Sequence, residues 1–253
     1  QAQLFAEIRG RIQEDDQTAP VFERGHWYYA RFTRGSQYPI HARRAGTMDA
    51  PEEVLLDGNA MAVGHAFFAL GSYEVSPDGT KLAYVVDTVG RNLFTLRVKD
   101  LVTGAELDDV VEGTAGAIAW ANDSRTLFYV LRDPVTLRSR RVMRHRLGAP
   151  AAEDVLVYDE EDAAFYTTLS RTKSDRYVAI YVWSTVSSEA RLIDADAPDR
   201  APVVFLPRER DHEYSLDHVG GRFVVKTNWQ AKNFRLMEAP TATHADRATW
   251  RDL

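Results

Sequence analysis

There is no cysteine among the 253 residues, which excludes a disulfide framework and any thiolate metal site. The same absence suits a reducing compartment, so the cytoplasm is the expected location, with the periplasm left open. No apolar run approaches the roughly 18 residues that a membrane helix needs, and no membrane partner is expected. The one apolar stretch near the start carries Glu7, Arg9 and Arg11, which is unlike a signal peptide. Basic charge is not in excess either. With 31 Lys+Arg against 37 Asp+Glu the net charge is −6, so nothing global asks for a nucleic-acid partner. Apolar residues at 45% and aromatics at 11% are the values of a folded globular chain.

What the sequence does have is a repeat. Val75-Ser76-Pro77-Asp78-Gly79-Thr80-Lys81 runs into Leu82, Tyr84 and Val86, which alternate with smaller or polar residues. Pro77 pre-sets the first corner of a turn, Asp78 can close an Asx-turn and Gly79 tolerates positive φ; the alternation after them has the period of a strand. The plan returns at Ala121-Asn122-Asp123-Ser124 before Leu127-Phe128-Tyr129, and at Thr172-Lys173-Ser174-Asp175 before Tyr177-Val178-Ala179. A weaker copy stands at Gly220-Gly221 before Phe223-Val224-Val225. Turn to turn, the spacings are 45, 52 and 46 residues. A strand-rich repeat of that length is what a propeller blade needs.

Each period holds a second hairpin. Strands are expected over 93–101, 141–147, 154–158, 190–194 and 203–206. Before the repeats, Trp27–Phe32 and Tyr38–Arg44 flank a five-residue loop, Glu53–Asp57 closes a first unit, and 59–64 reads as a short helical or irregular connection. One helix is expected, from Gln1 to about Glu14, with Leu4, Phe5, Ile8 and Ile12 on one stripe. Asp15 and Asp16 lie at the wrong end for its dipole, so fraying is expected there. The expected architecture is therefore all-β: about four to five blades of a partial β-propeller, preceded by one N-terminal α-helix. Residues 1–20 form the end of a helical extension with its linker, and residues 21–253 the incomplete propeller. The chain reads as an internal fragment, with further blades beyond Leu253.

Several segments resemble one family. The helix at Leu4–Arg11, Trp27-Tyr28-Tyr29, Gln37-Tyr38-Pro39-Ile40, Val75–Gly79, Thr95–Leu101, Trp120–Ser124, Val142–His145, Asp211–His218 and Lys232-Asn233-Phe234 together resemble the oligopeptidase B branch of the prolyl oligopeptidase family. The resemblance covers essentially the whole chain. It implies a seven-bladed propeller capping an α/β-hydrolase domain that carries Ser, Asp and His, and cleavage of short peptides after Lys or Arg. A hydrolase serine needs the Gly-x-Ser-x-Gly elbow. No serine here has glycines at that spacing: Ser36 follows Gly35 and Ser72 follows Gly71, and neither completes it. No catalytic residue, cofactor or metal ligand is therefore assigned. The expected partners are the hydrolase domain of the same chain and short Lys/Arg-containing peptides.

The remaining local constellations read as packing features. On a strand, His212, Tyr214, Leu216 and His218 share a face, and the two histidines stand about 20 Å apart by strand rise, too far for one metal. Blade packing is the expected role. The run from Arg138 to Arg146 holds five arginines but no interleaved aromatic, so acid-paired strands are expected there, with Glu153, Asp154 and the 159–162 cluster as partners. Trp27, Tyr28, Tyr29, Tyr84, Trp120, Tyr129, Tyr177 and Tyr181 are expected at inner-strand positions, packing blade on blade. Arg91, in the connection Asp87–Arg91, is the candidate interdomain contact. The resemblance implies a gating role, with the propeller admitting only narrow, flexible chains to a deep active site. The rival is a non-enzymatic propeller used as a protein-binding platform, and a proline-specific sibling peptidase is a third reading.

Overall fold

The computed structural model describes residues 1–253 as two units, Gln1–Phe68 and Ala69–Leu253. In the first, helix α1 (Ala2–Gly10) leaves Leu4, Phe5 and Ile8 more than half exposed. It stops earlier than the stripe suggested. Asp15 accepts the Arg34 backbone N–H at 2.7 Å instead, and β1 (Asp16–Gln17) pairs with β3 (His26–Phe32). β2 (Val21–Glu23) also pairs with β3, which is followed by β4 (Ile40–Ala45) and β5 (Glu53–Asp57) in one antiparallel sheet. The short α2 (Gly58–Met61) is capped by Asp57, whose carboxylate accepts the N–H groups of Asn59 and Ala60. Glu52 holds this sheet together, accepting two hydrogen bonds from Arg31 Nε, one from Arg31 Nη2 and one from Tyr29 Oη.

The second unit is built of four-stranded antiparallel meanders. β6 (Ala69–Val75), β7 (Lys81–Asp87) and β8 (Phe94–Asp100) lead into β9 (Glu106–Trp120), a 15-residue strand that belongs to two blades. Its first part pairs with β8, with Leu96 opposite Val111. Its last part pairs with β10 (Thr126–Arg132), with Ile118 opposite Tyr129. Gly113 and Gly116 lie between the two, at φ +75° and +96°, a region that favours glycine and lets the strand bend from one blade to the next. β11 (Ser139–Arg146) and β12 (Val155–Asp159) complete the second blade. β13 (Tyr166–Arg171) to β16 (Val203–Leu206) make the third through β14 (Tyr177–Trp183) and β15 (Ser188–Asp194). β17 (Tyr214–Val219), β18 (Arg222–Thr227), β19 (Arg235–Pro240) and the two-residue β20 (Arg251–Asp252) make the fourth. The sheets do not close into a ring, and four to five sheets along the chain fit a partial propeller.

The core explains why the second strand of each blade is so apolar. One cluster joins the first and second blades (Val85, Leu96, Trp120, Leu127, Tyr129), another the second and third (Phe128, Val130, Val142, Val178, Ile180), and another the third and fourth (Leu192, Phe205, Leu216, Phe223, Met237). Within β10, Leu127 and Tyr129 point into one interface while Phe128 and Val130 point into the next. A strand covered on both faces needs apolar residues at every position, not at alternate ones. β18 differs: Phe223, Val225 and Thr227 are buried while Arg222 and Lys226 are exposed, so only one of its faces is covered.

Candidate functional site

Packing blade on blade sets the innermost strands β6, β9 and β13 side by side. Between them opens a cavity of about 490 Å³. Its floor is made of small residues, Gly71, Ser72, Ala115, Gly116 and Ala117, and Ser72 Oγ donates to the Gly116 carbonyl across the blades. Gly71 is required there: a Cβ would lie 2.8 Å from Phe94 Cε1 and 2.9 Å from Val85 Cγ2. Glu74, Asn92, Arg132, Thr168 and Ser170 supply the polar lining. Arg132 Nη1 donates to the Leu137 carbonyl at 3.0 Å, while its Nε is buried without an acceptor. Burial lowers the pKa of this guanidinium.

Because each blade is a meander, the second-to-third-strand loops gather at one end with the connections between blades. Arg138 stitches the two kinds together, donating to the carbonyls of Glu160 (2.9 Å), Asp162 (2.6 Å) and Phe165 (2.9 Å). Arg91 lies exposed in such a loop. The loop itself is rigidly built. Asp87, 3% exposed, accepts the N–H groups of Val89 (2.8 Å), Gly90 (2.8 Å) and Asn92 (2.7 Å). Burial works against its charge, but the N–H donors outweigh it and hold the carboxyl below its ordinary pKa.

The histidines of the 211–218 run are buried in blade contacts. His212 Nε2 meets Thr227 Oγ1 at 2.9 Å and its Nδ1 meets Arg247 Nη2 at 2.9 Å. His218 Nδ1 meets Ser174 Oγ at 2.8 Å and its Nε2 meets Thr241 Oγ1 at 3.0 Å. For both rings, burial is the main cause of a lowered pKa. The basic run is acid-paired as expected. Asp159, of the expected cluster, takes Arg140 and Arg141, while Asp199, not foreseen, takes Arg144 and Arg146. Asp154 turns instead to His145 Nδ1 at 2.7 Å and Tyr129 Oη at 2.7 Å. His145 is fully buried, its Nε2 3.0 Å from Asp109. That arrangement joins residues 36 and 9 positions from the histidine, and no local pattern announces it.

Trp120, Tyr129, Tyr177 and Tyr181 do pack blade on blade, although most of these stand on the second strand rather than the innermost. Tyr84 is on β7, Tyr129 on β10, and Tyr177 and Tyr181 on β14. Trp120 Nε1 donates to the Glu74 carbonyl at 2.9 Å and Tyr181 Oη to the Leu216 carbonyl at 2.6 Å, each reaching a neighbouring blade.

Comparison with known proteins places this architecture. The family described as "Prolyl oligopeptidase, N-terminal beta-propeller domain" matches residues 1–253. Dipeptidyl aminopeptidase BI of Pseudoxanthomonas mexicana is 46% identical over 98% of this chain and 36% of its own length. Protease 2 of Moraxella lacunata is 31% identical over 94% of this chain and 35% of its own. The structure of oligopeptidase B from Leishmania major superposes with a TM-score of 0.90 at 30% identity, covering 99% of this chain and 36% of that one. The chain thus spans about a third of the length of these relatives. It belongs to the prolyl oligopeptidase family, as its N-terminal β-propeller part.

Proposed function

We propose that these blades are the gate of a longer serine peptidase that cleaves short peptides after Lys or Arg, with the Ser, Asp and His of an α/β-hydrolase domain lying outside residues 1–253. The observation that carries this reading is the 0.90 TM-score to an oligopeptidase B over 99% of the chain. A stack of blades holds its shape through buried interfaces, so its cavity passes only extended, narrow chains, and closure onto the hydrolase domain excludes water. Two features support a covalently joined partner. Helix α1 presents Leu4, Phe5 and Ile8 to solvent, an apolar stripe suited to packing on further protein. The uncovered side of the fourth blade exposes Val219, Phe234 and Leu236, a surface that a further blade would cover. Arg91, on its Asp87-ordered loop, is proposed as an ion-pair partner across the domain boundary.

The test is cleavage by the full-length gene product. Short chromogenic peptides ending in Arg should be hydrolysed at the Arg bond, residues 1–253 alone should hydrolyse nothing, and Arg91→Ala should lower kcat/KM without changing the cleaved bond. Activity of residues 1–253 alone would sink the proposal. A second reading has its own support, because a relative at 46% identity is named a dipeptidyl aminopeptidase. Mass spectrometry of the products separates them: release of N-terminal dipeptides favours that reading, and internal cuts after Lys or Arg favour the first.

A further inference from the structure

Arg132 is the unmatched charge of the cavity. The arginines that follow it in sequence are all committed: Arg138 to three carbonyls, Arg140 and Arg141 to Asp159, Arg144 and Arg146 to Asp199. Arg132 has one hydrogen bond, from Nη1 to Leu137, and a buried Nε without an acceptor. Its Nη2, on a residue that lines the 490 Å³ cavity, is left without an intramolecular partner. A half-buried guanidinium whose Nε is shut off from water and given no anion is costly, and a planar carboxylate is the group that matches its fork. Around it, Gly71, Ala115 and Ala117 leave room for an extended main chain, and Thr168 and Ser170 offer hydroxyls to it.

We propose that Arg132 anchors a carboxylate subsite in this cavity, which takes either the C-terminal carboxylate or an Asp or Glu side chain of a bound peptide. The peptide as ligand rests on the gating function proposed above; the anion preference rests on the cavity alone. A bound carboxylate would receive a charge-assisted hydrogen bond from Nη2 and supply the countercharge that the folded chain does not.

The experiment is equilibrium binding, by fluorescence anisotropy, of short labelled peptides to the full-length gene product. The peptides contain no Lys or Arg, so cleavage after those residues does not intrude. One pair differs only in a C-terminal carboxylate or amide, and a second only in an internal Glu or Gln. The expected result is a preference of about tenfold for the charged member of at least one pair, the worth of one charge-assisted hydrogen bond. Which pair shows it identifies the source of the carboxylate. Arg132→Gln should abolish the preference, Arg132→Lys should keep part of it, and Arg91→Gln should leave it intact. Equal affinities within both pairs for the unmodified protein overturn the proposal whether or not the variants fold, as does a preference that survives Arg132→Gln. Equal affinities together with a lower melting temperature of Arg132→Gln would show Arg132 satisfied elsewhere in the full-length chain. Failure of the peptidase reading would be seen separately, as absent cleavage of Arg-containing peptides.

Discussion

The backbone N–H of Asp78 donates to Ser124 Oγ across 3.1 Å, joining the turn between the first two strands of one blade to the matching turn of the next. The contact recurs along the stack. Asn122 Nδ2 donates to the Asp175 carbonyl at 3.1 Å, Lys173 N–H to Asp217 Oδ1 at 2.8 Å, and Ser174 N–H to the His218 carbonyl at 3.0 Å. The repeated turn is therefore a latch between blades as well as a corner within one.

Ser124→Ala tests the latch. Ser124 is buried and sits at φ +53°, so alanine removes the acceptor without relieving the left-handed backbone. The loss should be about 1–2 kcal/mol, the cost of leaving a partly buried N–H unmatched. Ser124→Gly loses the same bond but relaxes the backbone, and should fall less. Urea midpoints of the two variants check the order.

Asp78 makes its turn sensitive to acid. Burial would raise its pKa, but donors at Ser76 Oγ and at the Thr80 backbone and hydroxyl, with the Lys81 ammonium, bring it down to about 2 from 3.8. A depressed folded pKa means stability that is present above the unfolded value and lost as pH falls through the folded one. The protein should therefore lose stability from about pH 4 down to about pH 2, and Asp78→Asn should flatten that part of the profile. Unfolding free energies across the window, with the carboxyl titration followed by NMR, decide it.

The repeat and its hairpins were legible because turn chemistry is local: Pro77-Asp78-Gly79 and its relatives mark each corner, and the strand bounds at 203–206 match β16. Two kinds of feature were not. The first is β9, which was not anticipated and runs unbroken from Glu106 to Trp120 through Gly113 and Gly116, because glycine bends a strand as readily as it ends one. The second is everything set by the approach of one blade to another. The Asp109–His145–Asp154 arrangement, the pairing of Arg144 with Asp199, and the isolation of Arg132 depend on tertiary distance, to which spacing along the chain gives no guide.

Gly71→Ala should be destabilising by about 1–3 kcal/mol, because the new methyl group meets Phe94 and Val85 below 3 Å. Phe94→Leu removes the ring edge that lies closest. The two changes together should cost less than their sum, and a double-mutant cycle of thermal midpoints measures the coupling.

At the junction of the second and third blades Arg208 reaches Glu160 and Glu189, both almost fully buried. Burial favours the neutral form of Glu160, yet Arg208, the Tyr158 hydroxyl and the Asp162 N–H together hold its pKa below the ordinary carboxylate value. Arg208→Met removes the countercharge and leaves burial to dominate, a loss of about 3–5 kcal/mol at neutral pH. The sign of the pH dependence then reverses. In the parent the group contributes stability above its unfolded pKa and loses it in acid, whereas a carboxyl whose folded pKa is raised is penalised most at high pH and recovers as it protonates. The deficit of Arg208→Met should therefore shrink as pH falls toward about 4, and Glu160→Gln in the same background should remove most of it at pH 7. A deficit independent of pH would mean that Arg208 acts through its stacking on the Phe165 ring, 4.0 Å from the guanidinium carbon, rather than through charge.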